Sequence, residues 1–162
     1  MITPQSMSAA YERNVAILKL QAEGLSHAES LLQLPFRANC LNWVAGHLVT
    51  NRLNVLKLLG DDVTGELAEL EHYTRESEPV TGEGAGVLPL EKLIARLEAA
   101  QERMAAVLAA ITPEALAQEV AFFGRRSQSV GEWLFFFYFH DSYHTGQAEI
   151  LRQAAGKDDK II

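Results

Sequence analysis

From residue 131 the chain runs Gly131-Glu132-Trp133-Leu134-Phe135-Phe136-Phe137-Tyr138-Phe139-His140-Asp141-Ser142-Tyr143-His144-Thr145-Gly146-Gln147, and this run reads as one long helix. Ser129 and Glu132 form an S-x-x-E capping box ahead of it, and Gly156 supplies a stop beyond it. Trp133, Phe137, His140, His144, then Gln147 or Ala148, and Leu151 recur at spacings of three and four, so two histidines fall on the stripe that a bundle helix turns inward. On an ideal helix they lie about 40° apart in azimuth and roughly 6 Å apart along the axis. Imidazoles so placed can converge on one metal ion; the alternative is a pair of core or interface histidines held by hydrogen bonds.

Working outward, 162 residues with 48% apolar and 22% charged side chains describe a globular chain, expected to fold as one domain over 1–162. Such a chain buries roughly 70% of its unfolded surface. The net charge of −7 and the lack of a basic cluster argue against nucleic acid as a partner. Cys40 is the only cysteine and no signal peptide is visible, so a reducing cytoplasm is expected. Trp133 to Phe139 falls far short of the ~20 apolar residues that span a bilayer, and no membrane association is expected.

Helical periodicity covers 4–32 through Met7, Tyr11, Val15, Leu18, Ala22 and Leu25, with Gly24 and Ser26 as points of bending or breakage. Asn39 is the expected N-cap of a second helix over 40–59, closed by Gly60. Leu41, Val44, Leu48, Val55 and Leu58 line its inner stripe; Trp43, His47, Asn51 and Asn54 follow its edge. Residues 61–88 are acidic and glycine-rich without sustained period, which suits either a lid or binding loop or a mobile surface crossover. A third helix spans 89–111, Thr112 caps a short turn, 118–123 is expected to be extended, and Gly124-Arg125-Arg126 turns into the last helix over 129–155. Four amphipathic segments predict an all-α four-helix bundle with a long crossover between helices two and three. Phe135, Phe136 and Tyr138 cannot all face one core, so a homodimer through the last helix is expected.

His47, alone on the second helix at mid-height, can complete a three-histidine set with His140 and His144 for a zinc-, nickel- or iron-like ion. His27 and His72 lack such spacing and are assigned to the surface. Asn51 and Gln147 lie near enough to line the same pocket, and Asn14 is the candidate from the first helix. Asp141 and Tyr143 point about 100° away from the histidines, which suits Asp141 to packing or a dimer contact. Cys40 would have to reach about 10 Å along the axis and is assigned to packing.

The H-x-x-x-H pair within His140 to Gln147, followed by Leu151-Arg152 and Gly156, resembles the closing helix of the DinB-like superfamily, the DNA-damage-inducible or YfiT-like metal-dependent enzymes. Asn42-Trp43, Gly46-His47-Leu48 and Leu58-Leu59-Gly60 resemble its second helix. The resemblance implies a four-helix bundle, usually dimeric, and a divalent metal on His47, His140 and His144. It also implies thiol-dependent chemistry, as in transferases that attach bacillithiol, mycothiol or glutathione to electrophiles, and in maleylpyruvate isomerases. The expected activity is thus thiol S-transfer to a small electrophile, with a low-molecular-weight thiol as cosubstrate. A non-catalytic metal-binding stress-response dimer and a metal-dependent hydrolase are the alternatives. No Glu stands beside the histidines as in H-E-x-x-H, which favours thiol transfer over peptide hydrolysis.

Overall fold

The computed structural model describes residues 3–122, 124 and 127–161. The first helix, α1 (Pro4–Ala22), starts at Thr3, whose hydroxyl accepts the Ser6 N–H while Ser6 Oγ accepts that of Thr3. It does not continue to residue 32 as expected. Gly24 takes the left-handed conformation at φ +71, and Ser26 with Glu29 forms a second capping box that starts the short α2 (His27–Ser30). A glycine stop followed at once by a start signal outweighs the continuing apolar period.

Helix α3 (Leu41–Leu58) takes Cys40, not Asn39, as its N-cap. Cys40 makes no side-chain cap; its thiol is turned to the Val80 carbonyl, the packing role expected of it. The crossover holds α4 (Thr64–Ala68) and a 3-10 turn, Glu71–Tyr73. Then come α5 (Leu90–Ala110), α6 (Pro113–Ala117) capped by Thr112, and the strands β1 (Glu119–Val120) and β2 (Gln128–Ser129), which pair antiparallel. Helix α7 (Val130–Ala154) opens with the Ser129–Glu132 capping box. Phe123, Arg125 and Arg126, at the end of the extended segment and in the turn expected to follow it, lie outside the described residues.

Helices α1 and α3 each pack against both α5 and α7, which closes a ring in the order α1, α5, α3, α7. The all-α four-helix bundle is therefore the fold, with α1 and α3 on a diagonal. Arg152 of α7 locks one corner by donating to the Gln21 and Glu23 carbonyls at the end of α1, where a helix leaves its acceptors open.

Helix α3 is buried on all sides from Leu41 to Leu53, more than a bundle stripe requires. The crossover covers its outer face. Tyr73 lies so close against Gly46 that a Cβ there would come within 2.1 Å of its ring. The Tyr73 hydroxyl donates to Asn42 Oδ1 (3.1 Å) and accepts the Leu88 N–H (2.7 Å), while Asn42 Nδ2 donates to the Leu88 carbonyl. With Val63, Leu70 and Val80 also in the core, the crossover is packed onto the bundle at these residues and at Tyr73, while 81–86 are exposed.

At the level of Arg52 the four long helices share one polar contact. The Arg52 guanidinium donates to Asp141 Oδ2 at 2.7 Å and to Gln101 Oε1, and lies 4.5 Å from the ring centroid of Tyr11. Gln101 donates to the Ser8 carbonyl, and Tyr11 to that of Leu134. Asp141 is thus a packing residue within its own chain.

The outward apolar line of α7 differs from expectation in two of three residues. Phe135, Phe139 and Tyr143 are exposed at 53%, 64% and 66%. Phe136 and Tyr138 are half-buried, Phe136 against Trp133 and Phe137 and Tyr138 edge-on to Tyr11. Steps of four residues keep nearly the same azimuth, whereas Phe136 and Tyr138 turn toward neighbouring helices. Among the described residues, no helix is long and apolar enough to cross a membrane.

Candidate metal centre

Helix α3 brings His47 and α7 brings His140 and His144 to one place between the two helices. Ring centroids are 5.1 Å apart for His47 and His140, 4.9 Å for His47 and His144, and 4.5 Å for His140 and His144. Each residue offers a ring nitrogen within 4.8 Å of those of the other two. Nitrogens sharing a tetrahedral ion at ~2.0–2.1 Å stand about 3.4 Å apart, so the rings are within side-chain rotation of a common ion.

Each ring is oriented through Nδ1. His47 Nδ1 lies 2.7 Å from the Tyr73 carbonyl oxygen, to which it donates, and the indole of Trp43 stacks on the ring at 4.4 Å and 17°. His144 Nδ1 donates to Gln147 Oε1 at 3.0 Å. In a neutral imidazole this leaves Nε2 with its lone pair free, the state that binds a cation. His140 Nδ1 faces the Asn51 amide at 3.1 Å, with Asn51 Nδ2 as donor. A half-turn of that amide exchanges its nitrogen and oxygen in the same space and gives His140 the same tautomer as the others.

The electrostatics keep the rings neutral. Burial pushes His47 down to about 4, outweighing the raising effect of its bond to Tyr73, and the other two histidines and Arg75 add to the depression. His140 is likewise pushed down to about 4, by burial first and then by His144 and Arg75. Burial also lowers His144, against its bond to Gln147. Three uncharged imidazoles have no proton to surrender when a cation arrives.

The sequence-based assignments sort cleanly. Asn51 and Gln147 contact the ring nitrogens, as expected of them. Asn14 does not reach the cluster; it donates to Ser142 Oγ at 3.0 Å, because its face of α1 looks at the far side of α7. His27 and His72 stay outside the cluster but are half-buried, not free on the surface: His27 Nδ1 lies 3.5 Å from Asn42 Nδ2, and His72 packs against Gly86. The Tyr73 carbonyl was not foreseen, since it comes from a segment without period. Gly46 was the available signal: a glycine inside a helix costs about 1 kcal/mol against alanine, which close approach by another group can justify.

The family model described as the DinB superfamily matches residues 10–148. The chain belongs to the DinB superfamily. Comparison with curated proteins returned no match. Within this DinB-superfamily chain the three histidines are a donor set that can hold a metal ion, and three nitrogen ligands leave positions for other molecules. Clefts flank the cluster on both sides, one lined by His144 and the other by His47 and His140.

Proposed function

We propose that His47, His140 and His144 hold a divalent metal ion and that the protein catalyses thiol S-transfer to a small electrophile. The observation that carries this reading is the geometry of three neutral imidazoles, each oriented through Nδ1, between two clefts. A divalent ion at this position lowers the pKa of a thiol brought against it, so that sulfur can react as its anion near neutral pH. The chain's own residues do the rest. The Tyr73 carbonyl, Asn51 and Gln147 fix the rings, Trp43 walls the site, and the crossover bound over α3 narrows access. In the transfer a carbon–sulfur bond forms, the carbon–leaving-group bond breaks with its electron pair, and the thiol proton passes to solvent.

Metal analysis of the purified protein tests the first half: about one ion per chain is expected, with nearly none in His47→Ala, His140→Ala or His144→Ala and no loss in His27→Ala or His72→Ala. A His47→Ala protein that binds metal as tightly as the unmodified one defeats the assignment. A screen of low-molecular-weight thiols with a chromogenic electrophile tests the second half. Full metal loading without turnover supports a non-catalytic binding protein. One feature favours a hydrolase as the second reading: Glu76 lines both clefts and offers a general base. Turnover of ester or amide without thiol, lost in Glu76→Gln, would establish it. We assign the exposed line of Phe135, Phe139 and Tyr143 to a homodimer contact, and Phe139→Ser should then sediment as a monomer.

A further inference from the structure

Two bonds between α3 and α7 lie one residue apart. The Asn51 amide meets His140 Nδ1 at 3.1 Å, and the residues that follow these two, Arg52 and Asp141, meet at 2.7 Å. One turn along, the rings of His47 and His144 face each other with centroids 4.9 Å apart. The rungs 47 with 144 and 51 with 140 step in opposite directions, so the two helices run antiparallel. Any slide of α7 along α3 therefore moves every rung together.

We infer that Arg52 and Asp141 are positioning residues for the metal centre: their bond fixes the register of α3 against α7 at which the three imidazoles meet. This rests on the metal-binding reading of the triad and adds two residues outside it. The need for such a device comes from tolerance. Metal–ligand distances hold to about 0.2 Å, whereas apolar packing between helices has no direction and resists a small slide poorly. The Asn51–His140 contact joins neutral groups that line a cleft, and a bond between full charges is roughly twice as strong. The charged bond is also anchored from outside the two helices. The Arg52 guanidinium is held by Gln101 Oε1 of α5 and lies 4.5 Å from the Tyr11 ring centroid on α1, so it does not follow a sliding α7. Its side chain and that of Asp141 are 1% and 3% exposed, which leaves no water at hand to replace either partner. Asp141 points about 100° away from His140 and so restrains the helix without entering the site. A buried ion pair adds little net stability over an apolar contact, and registry is the property it supplies.

The test separates register from stability in metal-free protein carrying isotope-labelled histidine. In the wild type, nuclear Overhauser cross-peaks should join the His47 ring to those of His140 and His144, at 5.1 and 4.9 Å between centroids. The His140–His144 cross-peak, within one helix at 4.5 Å, is the internal reference. In Arg52→Met with Asp141→Leu the thermal melt should stay close to that of the wild type, while the cross-helix peaks lose most of their intensity against the reference. Cobalt(II) affinity, read from visible absorption, should fall about tenfold in the same variant. Gln101→Leu is the control: it takes an acceptor from Arg52 and lowers the melting temperature but keeps the bond to Asp141, so cross-peaks and cobalt affinity should stay unchanged. Should the double variant not fold, Asp141→Asn, which keeps the side-chain shape and gives up the charge, should move both readouts the same way. The inference is overturned if whichever of these variants folds keeps the wild-type cross-helix peaks or the wild-type cobalt affinity, or if Gln101→Leu weakens both as much. The two readings fail separately. Cross-helix peaks that depend on the pair in a protein binding no cobalt sink the metal reading alone, whereas cobalt held equally by the wild type and the double variant sinks the positioning role alone.

Discussion

Helices α3 and α7 meet twice through polar side chains, and the two meetings are built on opposite terms. At one, His47 faces His140 and His144 as neutral rings, each with an Nδ1 partner, beside open clefts. At the other, Arg52 and Asp141 face each other as a sealed ion pair, their side chains 1% and 3% exposed. Among the described residues, Arg52 Nε and Asp141 Oδ1 have no hydrogen-bond partner. His140 and Asp141 are adjacent in sequence, yet a turn of about 100° sends one to the clefts and the other into the core. The difference teaches that buried polarity has two uses here. One set is uncharged and opens toward clefts; the other is charged and closed, and ties four helices at one height.

Breaking the sealed pair should have the largest effect. Arg52→Ala leaves the Asp141 carboxylate buried without its counter-ion, and loss of about 3–5 kcal/mol of stability is expected in urea denaturation. The double replacement Arg52→Met with Asp141→Leu should recover most of it, because removing both charges also removes their desolvation cost. A double variant as unstable as Arg52→Ala would show that the contact contributes more than charge balance.

Acid should act on the two regions with opposite sign. The cluster histidines have depressed folded pKa values, so the unfolded chain takes up protons first as pH falls. Stability present above ~6.5 is then lost toward pH 4, by roughly 3 kcal/mol for His47 alone in the metal-free protein. Asp141 is raised, because burial outweighs the pull of Arg52 on a carboxylate with only one bonded oxygen, so its protonation on acidification opposes that loss. Denaturation midpoints from pH 7.5 to 4.5 should therefore fall, and His47→Gln should flatten the curve. A wild-type curve that is already flat would mean that the rings are more hydrated than their burial implies.

Gly46→Ala sharpens the comparison without touching either polar group. Its methyl would press on the Tyr73 ring, and overpacking of this kind costs about 1–3 kcal/mol. Since Tyr73 also accepts from His47, metal affinity should fall along with stability, which isothermal titration would show. Equal destabilisation with unchanged metal affinity would separate the crossover from the cluster. The smallest effect is expected for Gln147→Ala, about tenfold in metal affinity with little change in stability, as befits a partner that orients a ring.

Much of the bundle was legible because its signals are local. Ser129 and Glu132 start α7, Gly60 and Gly156 follow α3 and α7, and apolar periodicity marks all four long helices. The histidine spacing on α7 was legible for the same reason, since helical geometry alone sets where His140 and His144 point. Where local signals competed, as at Gly24 and Ser26, periodicity overran the break. Other features depend on what packs against a residue from elsewhere in the chain. Nothing near Arg52 announces Asp141, Gln101 and Tyr11, which come from three other helices. Nothing near Tyr73 tells that its carbonyl meets His47.

The sequence by itself determined the four long helices, the stops at Gly60 and Gly156 and the inward pair His140 and His144, because each follows from spacings of a few residues along a rigid repeat. Only the tertiary structure decided that the crossover covers α3, that Asp141 is sealed in an ion pair while its neighbour His140 faces a cleft, and that Phe139 and Tyr143 join Phe135 on the exposed line. Those outcomes rest on contacts between residues tens of positions apart, and the free energy of such contacts depends on which surfaces exclude water together.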